Sequence, residues 1–119
     1  MTRLDILQHI ADLTDTNTND STLKPKLLRY IDKAYVECLR REYKEIPSTP
    51  LTDTTQLLID TRNAPFMGYY GAWLHFINEQ DTALAGIMKD EYEGFRFYKP
   101  AKSTIKIIDV YDLGGNGYE

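Results

Sequence analysis

Between Phe66 and Ile77 the chain reads FMGYYGAWLHFI, and Phe66, Met67, Tyr69, Tyr70, Ala72, Trp73, Leu74, Phe76 and Ile77 leave hardly a polar position in it. On a 3.6-residue period these side chains point in every direction, whereas a helix at the edge of a small domain shows an apolar stripe and a polar remainder. A helix apolar all round has to be covered all round. At 119 residues the chain makes one domain with a core but little surplus, so the cover comes from its own neighbouring helices or from copies of itself. The run is too short to cross a bilayer, which takes roughly 18 to 20 apolar residues.

The rest of the chain supplies candidate covers. Thr2 is placed to cap a first helix to about Leu13, with Asp5 at capping-box distance and Leu4, Leu7, Ile10 and Ala11 on one face. TDTNTNDS, residues 14–21, has no apolar residue and reads as a loop. A longer helix follows over about 22–43, with Thr22 as cap and Pro25 in its first turn. Its apolar face is Leu27, Leu28, Ile31, Ala34, Tyr35, Cys38 and Leu39. Pro47 and Pro50 are expected to end it, and 46–62 reads as a long connection with one extended piece at 55–59. Asn63 and Pro65 announce the apolar third helix. Asp81 caps a fourth, about Thr82 to Phe97, with Leu84, Ile87, Met88 and Phe95 expected on its inner side. Gly86 and Gly94 on that helix suggest close approach to another backbone, or merely weak points. After Lys99-Pro100, STIKIIDVYDL has strand composition with no second strand to pair with it, a sheet edge in search of a partner.

Charge is unevenly distributed. The net value is −4, yet residues 22–44 carry seven Lys/Arg against Asp32, Glu37 and Glu42, while residues 1–21 hold Arg3 against four aspartates. At 100° per residue Lys26, Arg29, Lys33, Arg40 and Lys44 fall on the face of the second helix opposite its apolar side. Such a stripe is most simply a solvated face. Its functional reading is contact with phosphates or with an acidic partner surface. The pairs Lys33–Glu37 and Glu37–Arg41 have ion-pair spacing beside it.

No catalytic constellation emerges. The single Cys38 excludes an internal disulfide and falls on an apolar face, where a buried thiol is expected rather than a nucleophile. Two histidines and one cysteine give no standard structural zinc set. His75 and Glu79 share a helical face, but without a second ligand pair His75 reads as a packing residue. Asp90, Glu91 and Glu93 read as a solvated face, and the terminal glycines precede no helix that would cradle phosphate. The chain is accordingly expected to be no enzyme and to use no cofactor and no metal. With no signal-like N-terminus, it is expected to be soluble in a reducing compartment. Nine tyrosines supply amphipathic surface suited to interfaces. Tyr35 and Tyr92 are expected in the core, and Tyr69, Tyr70 and His75 nearest a neighbouring molecule.

The order of parts, with LLRYIDKAYVECLRRE in the long helix, TDTTQLLIDTRNAP leading into the aromatic helix and DEYEGFRFY closing the last one, resembles the head-to-tail connector proteins of tailed bacteriophages. The resemblance spans roughly residues 3–98, a likeness of pattern rather than of an invariant motif. It implies a structural virion protein made in the host bacterial cytoplasm and located in the neck. Twelve copies would form a ring between the capsid portal protein and the next neck or tail component, extending the channel for double-stranded DNA. The expected fold is mainly α: a small four-helix bundle over residues 1–98, with a long connection between helices two and three and an extended β-type tail at 99–119. Ile105, Ile107, Ile108, Val110, Tyr111 and Leu113 would meet the portal or a neighbour. The basic stripe would face the DNA lumen or a partner. The alternative is a small helical nucleic-acid-binding or regulatory module using the same stripe.

Overall fold

A computed structural model describes residues 1–98; the expected tail, with Ile105, Ile107, Ile108, Val110, Tyr111 and Leu113, lies outside the described residues. Four helices account for most of what is described. Helix α1 runs Arg3–Thr14 and starts as expected: the Asp5 carboxylate accepts from the Thr2 backbone N–H at 2.8 Å, which lowers the Asp5 pKa. The helix stops at Asp15, in the left-handed region at φ 53°. Its inner face is Ile6, Leu7, Ile10 and Ala11. Leu4, expected on that face, is exposed, and Ile6, one turn before Ile10, is buried instead.

Helix α2, Leu23–Arg41, buries Leu27, Ile31, Ala34, Tyr35, Cys38 and Leu39, as its spacing required. Both of its ends differ from expectation. Thr22 is already in helical conformation, and Asp20 caps instead, its Oδ1 accepting from Thr22 and Leu23 N–H at 2.9 and 3.1 Å. The C-terminal stop precedes the prolines: Tyr43 adopts φ 59°, and Lys44 N–H returns to the Leu39 carbonyl at 2.9 Å. That left-handed turn satisfies carbonyls which would otherwise be orphaned at the helix end.

The connection from Glu42 to Asp60 forms no strand. Its extended part makes a single antiparallel bridge, Thr2 to Gln56, and Leu57 N–H donates to the Met1 carbonyl at 2.9 Å. Leu57 and Ile59 drop into the core, while Leu58 N–H donates to the Tyr35 hydroxyl at 3.0 Å. A short 3-10 turn, Thr61–Asn63, leads into α3 (Ala64–Asn78), and α4 spans Thr82–Glu93. The Asp81 cap holds as expected, with Oδ1 accepting from Leu84 N–H at 3.1 Å. Helix α4 ends earlier than Phe97, at Gly94.

Helix α3 is the pillar. It packs against α1, α2 and α4, and α4 packs chiefly on it. Phe66, Met67 and Ala72 are fully buried, so the apolar run is covered largely from within the subunit. Close approach occurs at Gly68 and Gly71 rather than at Gly86 and Gly94. A Cβ on Gly68 would strike the His9 ring and one on Gly71 would strike Ile10 Cδ1, whereas a Cβ on Gly86 would meet nothing within 4 Å. These two α3 glycines let α1 lie close along the pillar.

Candidate interaction surface

The expected basic stripe divides into parts with different roles. Arg29, Lys33 and Arg40 lie on the exposed outer face of α2. Arg40 and Arg41 both pair with Glu37 at 2.9 Å. Lys33 does not take the expected partnership with Glu37; neither it nor Arg29 forms an ion pair among the described residues. Lys26 is half-buried and lies near enough to His75 to influence its titration. Lys44 stands beyond the helix, where its Nζ donates to the Leu58 carbonyl at 2.6 Å and pairs with Glu42 at 2.8 Å. The left-handed turn at Tyr43 carried it off the stripe.

A buried polar node joins the end of α2 to the end of the described chain. Glu42 is 5% exposed and Asn63 is fully buried. Asn63 Nδ2 donates to Glu42 Oε2 at 2.7 Å and to the Tyr98 carbonyl at 3.1 Å, and Tyr98 N–H donates to Asn63 Oδ1 at 2.7 Å. The side-chain amide therefore grips one residue's backbone by both its N–H and its C=O, as a paired strand would. Glu42 also accepts from Asp60 N–H at 3.1 Å and from the Cys38 thiol at 3.8 Å. Cys38 is fully buried in the core, and burial, reinforced by that carboxyl, pushes its thiol well above its ordinary range, as suits a packing group. Outside the node, Arg62 lies 3.1 Å from the centre of the Tyr98 ring and pairs with Asp60 at 2.9 Å. Phe95 and Phe97 fold back onto Phe66, whose ring also lies under the Arg41 guanidinium at 5.0 Å. The chain reaches Tyr98 from a fixed point on the bundle.

Helix α4 turns apolar residues outward. Its buried residues are Ala85 and Tyr92, with Met88 half-buried behind them. Leu84 and Ile87, expected inside, are 39% and 52% exposed. The reason lies in the aromatics: Tyr92 inserts between Phe66, Tyr70 and Trp73, at centroid distances of 5.9, 5.0 and 5.1 Å. That anchorage rotates α4 so that Leu84 and Ile87 face out. Ile77 at the end of α3 is 52% exposed, and a shallow hollow of about 250 Å³ lined by Trp73, Ile77, Thr82, Ala85, Gly86 and Lys89 runs between the two helices. Of the three α3 residues expected nearest a neighbour, Tyr69 and Tyr70 are half-buried and His75 is buried; on this side of the subunit the exposed apolar residues are Ile77, Leu84 and Ile87, while Leu4, Ile46 and Leu58 are exposed elsewhere.

A second hollow of about 370 Å³ lies under the connection, with Arg3, Asp32, Tyr35, Ile46 and Pro47 among its walls. There Arg3 bridges Asp32 at 2.7 Å and Asp53 at 3.4 Å. This ion triplet staples α1, α2 and the connection together. No group of three or more His, Cys, Asp or Glu able to hold a metal occurs among the described residues, and no described helix is long and apolar enough to cross a membrane.

The chain matches no family model, no curated protein and no solved structure. Its surfaces must be interpreted from their own chemistry. Sequence reasoning missed the Glu42–Asn63–Tyr98 node. The signals were slight: an Asn before a proline-started helix reads as a cap, and nothing local ties it to a residue 35 positions later.

Proposed function

We propose that this protein is a structural subunit of a head-to-tail connector ring in a tailed bacteriophage. It would sit between the capsid portal and the neck or tail and extend the DNA channel. The observation carrying this reading is the outward apolar surface of Ile77, Leu84 and Ile87 on a subunit whose core is otherwise filled. Burying such surface between copies is favourable by about 25 cal/mol per Å², and head-to-tail contacts close into rings when the rotation permits. The resemblance of the helix order to connector proteins supplies the biological setting, the twelve-fold ring and the portal as partner. The fixed exit of the chain at Tyr98 suits a subunit whose residues 99–119 dock on an adjoining chain. The reading includes no enzymatic activity and no cofactor.

Light scattering of the full chain, alone and with the portal protein of the same phage, tests it. Complexes of defined stoichiometry with the portal are expected; a monomer that joins no portal complex contradicts the proposal.

One observation favours the alternative, a nucleic-acid-binding module: Arg29 and Lys33 are exposed cations outside any ion pair among the described residues. That alternative requires salt-sensitive binding of duplex DNA by the isolated protein, lost on reversing these two charges. Absence of binding at low salt removes it.

A further inference from the structure

The exposed faces of α2 and α4 differ in kind. On α2 the side away from the core carries Arg29, Lys33 and Arg40 beside the half-buried Val36. The helix holds six cations against Asp32 and Glu37. On α4 the turn angles place Ala83, Leu84, Ile87, Asp90 and Glu91 together, opposite the buried Ala85 and Tyr92. Residues 79–93 hold Glu79, Asp81, Asp90, Glu91 and Glu93 against Lys89 alone. One face is basic with an apolar residue inside it; the other is apolar with an acidic end. Helix α4 is seated chiefly on α3 and α2 on α3 and α1, so neither face covers the other within the subunit.

We infer that the outer face of α4 in one copy docks on the outer face of α2 in the next. Ile87 and Leu84 would lie against Val36 and the aliphatic stems of the α2 cations, with Asp90 and Glu91 facing Arg29 and Lys33. The occupant is a second copy because the two surfaces complement each other in charge, and among the described residues Arg29, Lys33, Asp90 and Glu91 form no ion pair within the subunit. An interface joining two different patches is heterologous, and it propagates from copy to copy. Opposite charges at its edge fix the register and the direction of docking. This inference rests on the ring-subunit reading and names the surfaces by which that ring closes. It also assigns the α2 cations to the neighbouring subunit rather than to DNA.

Charge exchange tests it. Two double variants of the full chain, Arg29→Glu with Lys33→Glu and Asp90→Lys with Glu91→Lys, alter only exposed side chains, and circular dichroism checks that both fold. Each is examined by sedimentation velocity, alone and with the portal ring. Assembly of each variant by itself is expected to weaken at least tenfold relative to the unaltered chain. An equimolar mixture of the two should regain it, because alternating copies then present opposite charges at every contact. A second measurement mixes a Val36→Cys chain with an Ile87→Cys chain under mild oxidation. The native Cys38 is buried and stays silent. The mixed disulfide is expected in clear excess over a control pairing of Val36→Cys with Gln8→Cys. Full assembly by both charge variants, or equal disulfide yields in the two pairings, overturns the inference while leaving the connector reading standing. An unaltered chain that assembles neither alone nor on the portal overturns both.

Discussion

Asn63 is the residue on which the described chain is most tightly closed. Its amide is fully buried, with both N–H donors and the oxygen engaged, holding Glu42 on one side and the Tyr98 backbone on the other. Removing it takes one donor from the buried Glu42 carboxyl, which keeps Asp60 N–H and Lys44, and leaves the Tyr98 N–H and C=O without their partner; an unsatisfied buried polar group costs about 1–3 kcal/mol. Asn63→Ala is therefore expected to destabilise the protein by about 2–4 kcal/mol in urea denaturation. Asn63→Asp should do at least as much harm, because it replaces the donor facing Glu42 with a second carboxyl. His75 is a pH-sensitive counterpart. Burial lowers its pKa from the ordinary 6.5, nearby Glu79 opposes the shift, and Lys26 adds to it. A histidine held neutral in the folded state leaves the unfolded chain to take up the proton first. Its contribution is complete above about pH 6.5 and is lost as the pH falls toward the lowered folded value. Thermal melts from pH 7.5 to 5 should show a falling midpoint, and His75→Phe should flatten that slope.

At the scale of the elements, much was legible because the spacing of apolar residues reports local geometry. The α2 face, the Asp81 cap and the Thr2/Asp5 start of α1 all follow from a few adjacent residues. What failed depended on partners far along the chain. The inner face of α4 could not be read from Leu84 and Ile87, because the aromatic pocket made by Phe66, Tyr70 and Trp73 selects Tyr92. Of the two readings of Gly86, the weak point is the one that holds, and the close approaches at Gly68 and Gly71 could not be read from the sequence, since only the crossing of α1 over α3 distinguishes them. Of the basic surface, Arg29, Lys33 and Arg40 were legible as an exposed stripe, whereas the Tyr43 turn removed Lys44 from it. The glycines give a prediction of opposite signs. Gly86→Ala should stabilise by about 0.5–1 kcal/mol, since alanine is the better helix former and the site is open. Gly68→Ala should destabilise by about 1–3 kcal/mol despite the same propensity gain, because the His9 ring must move from between the helices. Chemical denaturation of the two variants side by side checks both signs.

For the whole molecule, the fold explains why an all-round apolar helix need not by itself mean association. Helix α3 is largely wrapped by α1, α2 and α4; Ile77, Leu84 and Ile87 stay exposed on its α4 side, and Leu4, Ile46 and Leu58 are exposed elsewhere on the described surface. The described helices pack a core of their own around Phe66, Ile10, Leu27 and Ile31. Under the connector proposal, deleting residues 103–119 is expected to leave the helical circular dichroism and the melting midpoint unchanged while abolishing portal docking. Assembly itself is the central claim, and direct imaging tests it most directly. Negative-stain electron microscopy of the full chain co-expressed with its portal protein should show closed rings of one rotational symmetry stacked coaxially on the portal. Portal particles lacking that added layer, with this protein remaining monomeric beside them, would contradict the account.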